Sequence, residues 1–183
     1  IRLQHAVQRV TETGLPLLYV NQVGGQDELV FDGGSFALNA NCGLAARQPA
    51  FTEDILMTQW HRDGNNGWVC AVTDRGAHPE GLGALYQAMV LGLADYVNKN
   101  GFPGVILGLS GGIDSALSAA VAVDALGPDR VRCVMMPSPY TSIESLEDAG
   151  AVAEMLGVRL DEITITPAMD SFAAMLEGAF EGV

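Results

Sequence analysis

Two serines, two glycines and an aspartate fall within six consecutive residues, Ser110-Gly111-Gly112-Ile113-Asp114-Ser115. A short apolar run at 105–107 leads into them and a helix-forming stretch follows at once. A glycine-paired turn between a strand and a helix leaves backbone N–H groups at the helix N-terminus, where they can hold a pyrophosphate. The hydroxyls of Ser110 and Ser115 and the carboxylate of Asp114 sit among those groups. The chemistry this suggests is cleavage of ATP between its α- and β-phosphates, with pyrophosphate held in the loop. Asp114 can cap the helix and also face a Mg²⁺ bound to the phosphates, an ion that takes only one or two protein carboxylates.

Rival phosphate loops do not fit. A Walker A loop needs a lysine after its second glycine, and the residues after Gly112 are Ile113, Asp114 and Ser115. A dinucleotide fingerprint needs Gly-x-Gly-x-x-Gly, which Gly108-Leu109-Ser110-Gly111 breaks. The six residues in their strand–turn–helix setting resemble instead the PP-loop of the adenine nucleotide α-hydrolase superfamily. A plain flexible turn capped by Asp114 is the bland alternative, but such a turn has no need of two hydroxyls around two glycines.

The elements that must position this loop can be read on either side of it. Leu82, Leu85, Tyr86, Met89, Val90, Leu93, Tyr96 and Val97 keep helical spacing over 80–99. Gly101 ends that helix and Pro103 prevents its resumption. A strand at 105–107, a helix at 114–126 and a strand at 131–135 come next. Thr141-x-x-Glu144 reads as a capping box for a helix running to 156. A strand over 158–165 and a helix opened by Pro167 complete the order αβαβαβα. That order predicts a three-layer α/β unit with a parallel sheet. The loop would sit at the carboxyl end of the unit's first strand, where such sheets bind ligands.

Upstream the pattern differs. Leu3, Val7 and Val10 mark the end of a helix stopped by Gly14. Residues 15–21 read as a buried strand, Gly24-Gly25 as a turn, 28–32 as a second strand and 35–40 as a third with alternating burial. Asn41-Cys42-Gly43 reads as a hairpin turn, 44–51 as the returning strand, 54–59 as another strand, 61–67 as a loop and 68–72 as a short apolar run. A boundary near 75 divides this β-rich half, 1–75, from the α/β half, 76–183.

The chain has 183 residues, 49% of them apolar, and a net charge of −13 with nine lysines and arginines. That balance provides a core and speaks against nucleic acid and against a polybasic membrane anchor. Cys42, Cys70 and Cys133 show neither metal-ligand spacing nor a disulfide framework, which fits a reducing compartment. No apolar run reaches membrane-spanning length.

Two segments carry a family resemblance. One is Tyr19-Val20-Asn21-Gln22-Val23-Gly24-Gly25-Gln26-Asp27-Glu28-Leu29-Val30-Phe31-Asp32-Gly33-Gly34-Ser35-Phe36. The other runs from Asp95-Tyr96-Val97-Asn98-Lys99-Asn100-Gly101-Phe102 through the loop to Met136-Pro137-Ser138-Pro139-Tyr140-Thr141-Ser142. Over nearly the whole chain they resemble glutamine-dependent NAD⁺ synthetases of the bacterial type. The loop alone also fits GMP synthetase, asparagine synthetase and tRNA-thiolation enzymes. The Asn21–Glu28 segment separates them, because it looks like the late part of a nitrilase-type amidase.

The resemblance implies the C-terminal part of a nitrilase-like αββα domain followed by the first half of a Rossmann-like PP-loop domain. It implies a cytoplasmic ligase of NAD biosynthesis. Glutamine hydrolysis supplies ammonia, ATP adenylates deamido-NAD⁺ with release of pyrophosphate, and ammonia displaces AMP. Carried over by residue, the ATP loop is Gly108, Leu109, Ser110, Gly111, Gly112, Ile113, Asp114 and Ser115, with Asp114 at the Mg²⁺ position. The strand ending at Met136 would flank the adenine, although apolar burial is the plainer role for Met136. The amidase Glu, Lys and Cys are expected upstream of Ile1, and a Thr and Lys for ATP beyond Val183, so this stretch alone should be inactive. Cys42 lacks a nucleophile's surroundings. Association into a homo-oligomer is expected.

Two other function classes stay open: a non-catalytic nucleotide-binding module and a different PP-loop amidotransferase. Gln22, Gln26, Asp27 and Glu28 can line a glutamine pocket or satisfy turn N–H groups. His5, His61 and His78 read as solvated, Glu144, Glu147 and Asp148 as an acidic first turn, and Trp60 and Trp68 as packing residues.

Overall fold

The computed structural model describes residues 1–64, 67–72 and 76–180. The chain divides into two units, Ile1–Tyr96 and Val97–Val183. The boundary expected near 75 lies outside the described residues; the division by contacts falls later, inside a helix.

In chain order the first unit holds α1 (Arg2–Thr13), β1 (Leu17–Tyr19), β2 (Val23–Gln26), β3 (Leu29–Asp32), β4 (Phe36–Leu38), β5 (Leu44–Arg47), β6 (Trp60–Arg62), β7 (Trp68–Cys70) and most of α2 (Gly81–Lys99). Strands β1, β4 and β5 form one antiparallel sheet in the order β1-β4-β5; β2 pairs with β3 and β6 with β7. Side chains alternate across β4. Phe36 and Leu38 join Ala6 and Val10 of α1 in one cluster, while Ala37 joins Ala45, Ala46 and Cys70 in another. All three β4 residues are therefore buried, because both faces are covered. The pairing slips between Ala37 and Leu38, which seats Ala45 and Ala46 in the same cluster. The Asn39 amide accepts from Cys70 N–H at 2.8 Å and donates to the Cys70 carbonyl at 3.1 Å, fastening β7 to the end of β4.

Several local expectations are corrected here. Gly24 and Gly25 lie within β2, and the reversal falls at Asp27 (φ 51°) and Glu28. Residues 54–59 form no strand; pairing starts at Trp60, and β6 takes His61 and Arg62 out of the expected loop. Asn65 and Asn66 of that loop lie outside the described residues. The strand at 15–21 shortens to β1, with Leu18 59% and Val20 82% exposed.

The second unit holds the end of α2, then β8 (Val105–Gly108), α3 (Ile113–Leu126), a 3₁₀ turn at Pro128–Arg130, β9 (Val131–Met135), α4 (Ile143–Leu156), β10 (Arg159–Glu162) and α5 (Thr166–Leu176). The parallel sheet runs β10-β9-β8. Val131, Cys133 and Met135 are buried, while Arg132 between them is exposed. Helices α3 and α4 bury Ala119, Ala122, Ala149 and Ala153, and these small side chains let both helices lie close to the sheet. Arg130 fixes the entry to β8. Its guanidinium donates to the Pro103 and Phe102 carbonyls, both at 2.9 Å, and to Asn98 Oδ1 at 2.8 Å.

Candidate functional site

Strand β8 delivers the loop. Leu109 N–H donates to the Val134 carbonyl at 2.9 Å, one step beyond the β8–β9 ladder, and the Leu109 side chain is 1% exposed. The strand end is thus anchored by a backbone bond and a buried side chain, worth about 1.5–3 kcal/mol for the latter. From Ser110 to Asp114 the chain is exposed or half-buried.

The two serines close the loop on themselves. Ser110 N–H donates to Ser115 Oγ at 3.2 Å, and Gly112 N–H donates to Ser110 Oγ at 3.3 Å. Ser115 Oγ donates to the Gly112 carbonyl at 2.9 Å, and the two hydroxyl oxygens lie 3.1 Å apart. Ser115 has committed its one proton to Gly112, so the proton between the hydroxyls belongs to Ser110. A hydroxyl donates once and accepts twice. Ser115 Oγ is therefore fully engaged within the loop.

Backbone donors remain for a ligand. The first bond inside α3 runs from Ala116 N–H to the Gly112 carbonyl at 3.1 Å. The N–H groups of Ile113, Asp114 and Ser115 precede it and have no partner within the helix. Such a helix end can hold an oxyanion. Asp114 is the second residue of α3 and its side chain is exposed. The cap is Gly112, in extended conformation, rather than Asp114; the carboxylate is not turned back on its own helix as a cap would be. The Ile113 side chain is 81% exposed.

Gly111 shows why the pair of glycines is needed. Its φ is +83°, and a Cβ there would overlap the Ser145 carbonyl and stand 2.8 Å from Ser145 Cα. The loop lies directly on the first turn of α4. Sequence reasoning missed this contact, because nothing in 110–115 identifies which later helix stands behind it. The expected capping box shifts by one residue as well. Ser142 Oγ accepts from Ser145 N–H at 3.2 Å and caps α4, while Thr141 Oγ accepts from Ser138 N–H at 2.9 Å. Glu144 has its carboxyl held below the usual range by its own N–H and the Ser142 hydroxyl.

Other residues singled out by sequence lie as follows. Met136 is past the end of β9 and 52% exposed, so the strand-burial reading fails; its Cε would stand 3.4 Å from a Cβ on Gly108. Gln22, Gln26, Asp27 and Glu28 are all exposed, and among the described residues their side chains make no hydrogen bond to the turn. His5 and His61 are solvated as expected. His78 is not: its Nδ1 is buried without a partner among the described residues, and desolvation, then Arg47, pull its pKa below the ordinary 6.5. Trp60 packs against the Ala37–Cys70 cluster, whereas Trp68 is 49% exposed under the Arg62 guanidinium. Cys42 occupies its hairpin turn at φ 63°, with Thr11 Oγ1 at 3.6 Å. Cys70 and Cys133 are buried thiols with raised pKa, which suits packing rather than nucleophilic attack. Among the described residues no group of three His, Cys, Asp or Glu is arranged to hold a metal, and no helix is long and apolar enough to cross a membrane.

Comparison with known proteins adds the following. The family model for NAD synthase matches residues 85–182. The glutamine-dependent NAD(+) synthetase of Rhodobacter capsulatus is 50% identical over 183 residues, covering 100% of this chain and 32% of that protein. The enzyme of the same name from Synechocystis is 43% identical over 179 residues, covering 98% and 31%. The solved glutamine-dependent NAD+ synthetase of Acinetobacter baumannii, in complex with ADP, superposes with a TM-score of 0.92 at 44% identity, covering 99% of this chain and 34% of that one. The chain thus spans about a third of the length of the curated relatives it matches.

Proposed function

The chain belongs to the NAD synthase family, and from that membership we propose that it forms part of a glutamine-dependent ligase that amidates deamido-NAD⁺ to NAD⁺. The observation that carries the reading is the loop Gly108–Ser115: a buried anchor at Leu109, a self-closed pair of hydroxyls, and three N–H groups at the start of α3 that precede its first intrahelical bond. A carboxylate is a poor acyl acceptor. Transfer of AMP from ATP to the nicotinate carboxylate turns one of its oxygens into a leaving group, and ammonia then displaces AMP. The charge that develops in the first step falls on the departing pyrophosphate. Fixed N–H donors aimed at that charge lower the barrier without reorganising.

Mg²⁺ suits this donor set. Asp114 offers one exposed hard oxygen ligand beside the phosphate donors, and such an ion completes its shell with phosphate oxygens and water. When bound it neutralises phosphate charge. The ADP complex of the Acinetobacter relative supports nucleotide use by this unit. The first unit, through its segment 19–36, belongs on this reading to the nitrilase-type amidase that releases ammonia from glutamine. Its Glu, Lys and Cys are sought outside these residues. The ligands are small molecules, the enzyme works in the cytoplasm, and it assembles as a homo-oligomer.

The test is product analysis of the full-length enzyme. AMP and pyrophosphate are expected, and Asp114→Ala should abolish both while glutamine hydrolysis stays measurable. Formation of ADP would refute the reading. Tight ATP binding with no turnover would favour a non-catalytic module instead.

A further inference from the structure

The serine–glycine loop and the helix behind it, both in the second unit, meet main chain to main chain. A Cβ on Gly111 would overlap the Ser145 carbonyl oxygen and stand 2.8 Å from Ser145 Cα and 2.9 Å from its carbonyl carbon. The position of the loop is therefore tied to the position of one residue's backbone in the first turn of α4.

On its N–H side that residue is held by a cap rather than by the helix ladder. The first intrahelical bond of α4 runs from Leu146 N–H to the Ser142 carbonyl at 3.4 Å, longer than the ordinary 2.7–3.2 Å. Ser145 N–H precedes that bond and has no partner within the helix. It donates instead to Ser142 Oγ at 3.2 Å, and the two serine hydroxyl oxygens lie 3.1 Å apart. The Thr141 hydroxyl, one residue earlier, is committed to Ser138 N–H at 2.9 Å, so the cap falls to Ser142. The buried alanines that seat α4, Ala149 and Ala153, lie a turn or more further along.

We propose that Ser142 is a positioning residue for ATP binding: its hydroxyl caps α4 at Ser145, and the capped Ser145 main chain is the seat on which Gly111 fixes the phosphate loop. This goes beyond the ligase reading and rests on it, since it presumes that ATP occupies the loop. Ser142 is exposed, and the role assigned to it needs no contact with ATP. Without the cap the first turn frays and the loop is seated only part of the time. Bound ATP draws the loop back and bears that cost. The apparent affinity then falls with the seated fraction, while the bound complex reacts as before.

The full-length enzyme is assayed for AMP release at varied ATP, with ammonium chloride as nitrogen donor, and each variant is unfolded in urea. Ser142→Ala should raise the KM for ATP about fivefold, the binding equivalent of one lost cap of about 1 kcal/mol, and leave kcat within about twofold. Ser142→Thr and Ser142→Asn keep a capping oxygen and should return KM to near the parent value. Gly157→Ala strains the other end of the same helix, at φ +66° with nothing within 4 Å of the new methyl; it should lower the urea midpoint and leave KM alone. Ser142→Gly loses the same hydroxyl at smaller cost to the helix, and it decides the matter by the same comparison if Ser142→Ala does not fold. A KM that moves no further in Ser142→Ala than in Gly157→Ala, a loss confined to kcat, or a failure of Thr and Asn to restore KM would overturn the proposal. A parent enzyme that releases ADP in place of AMP, or neither, overturns the ligase reading itself, and that is seen before any substitution is made.

Discussion

Gly111→Ala perturbs the loop at its tightest point. Two terms add. An L-residue at φ +83° in the left-handed region loses about 1–2 kcal/mol. The new methyl also meets the Ser145 main chain rather than a side-chain end that could swing away, and forced insertion into packed structure adds about 1–3 kcal/mol. The sum, about 2–5 kcal/mol, is best relieved by lifting the loop off α4, because Ser110 and Gly112 beyond it are exposed. Lifting breaks the serine circuit and scatters the N–H groups. At the lower bound of about 2 kcal/mol, the KM for ATP should rise on the order of 30-fold. Gly157→Ala is the matched control. Its φ is +66°, but nothing lies within 4 Å of the added methyl, so it carries the backbone term alone. Urea unfolding and the KM for ATP are measured on both. The control should lose stability and keep its KM. If Gly111→Ala shifts KM no more than the control does, the loop is not seated on α4 as described, and the steric reasoning is wrong.

Two further effects can be measured on the folded protein. Leu109→Ala removes a side chain that is 1% exposed and should destabilise by about 2–5 kcal/mol in chemical denaturation, with the second unit responding. His78 gives a pH dependence. It faces Arg47, Arg2, Asp32 and Glu80, and its folded pKa lies below 6.5, so the unfolded chain takes up the proton first. The stability of the neutral ring is full above that value and is lost as pH falls below it. The urea midpoint should decline on acidification from neutral pH, and His78→Gln should flatten the decline.

Much of the second unit was legible because its signals are local. The helix stops at Gly101, Gly127 and Gly157, and the Pro167 start, each depend on a few adjacent residues, and the structure places helix ends at or beside them. The strand–turn–helix setting of the loop followed from the apolar run before it and the helix-forming stretch after it. The first unit was harder to read for two reasons. Its strands are three or four residues long, too short for alternation to register. The alternating burial expected over 35–40 is not found: β4 is covered on both faces, so Phe36, Ala37 and Leu38 are all buried. The Thr141 box failed because a competing acceptor was invisible: Ser138 N–H claims the Thr141 hydroxyl, and Ser142 takes over the cap. His78 and Met136 depend on partners far away in sequence, Gly34 and Gly108, and no spacing rule reaches them.

The charge distribution explains why the loop takes this form. Between Lys99 and Arg130 the chain contains no lysine or arginine, so no basic side chain within that stretch can meet a polyphosphate. With a net charge of −13 over these 183 residues, they add no long-range attraction for an anion either. Within these residues, on the proposed reading, the anion-holding capacity comes from dipoles at short range: the N–H groups at the start of α3 that have no partner within the helix. The serine circuit closes the loop on itself, with the Ser115 hydroxyl fully engaged inside it. Gly111 supplies the close approach to α4 that keeps the circuit in place. Asp114 would repel a phosphate if it stood alone in this position. On the proposed reading its carboxylate becomes useful with a divalent cation between it and the anion, so one acidic residue beside N–H donors fits a Mg²⁺-bound polyphosphate better than simple anion capture.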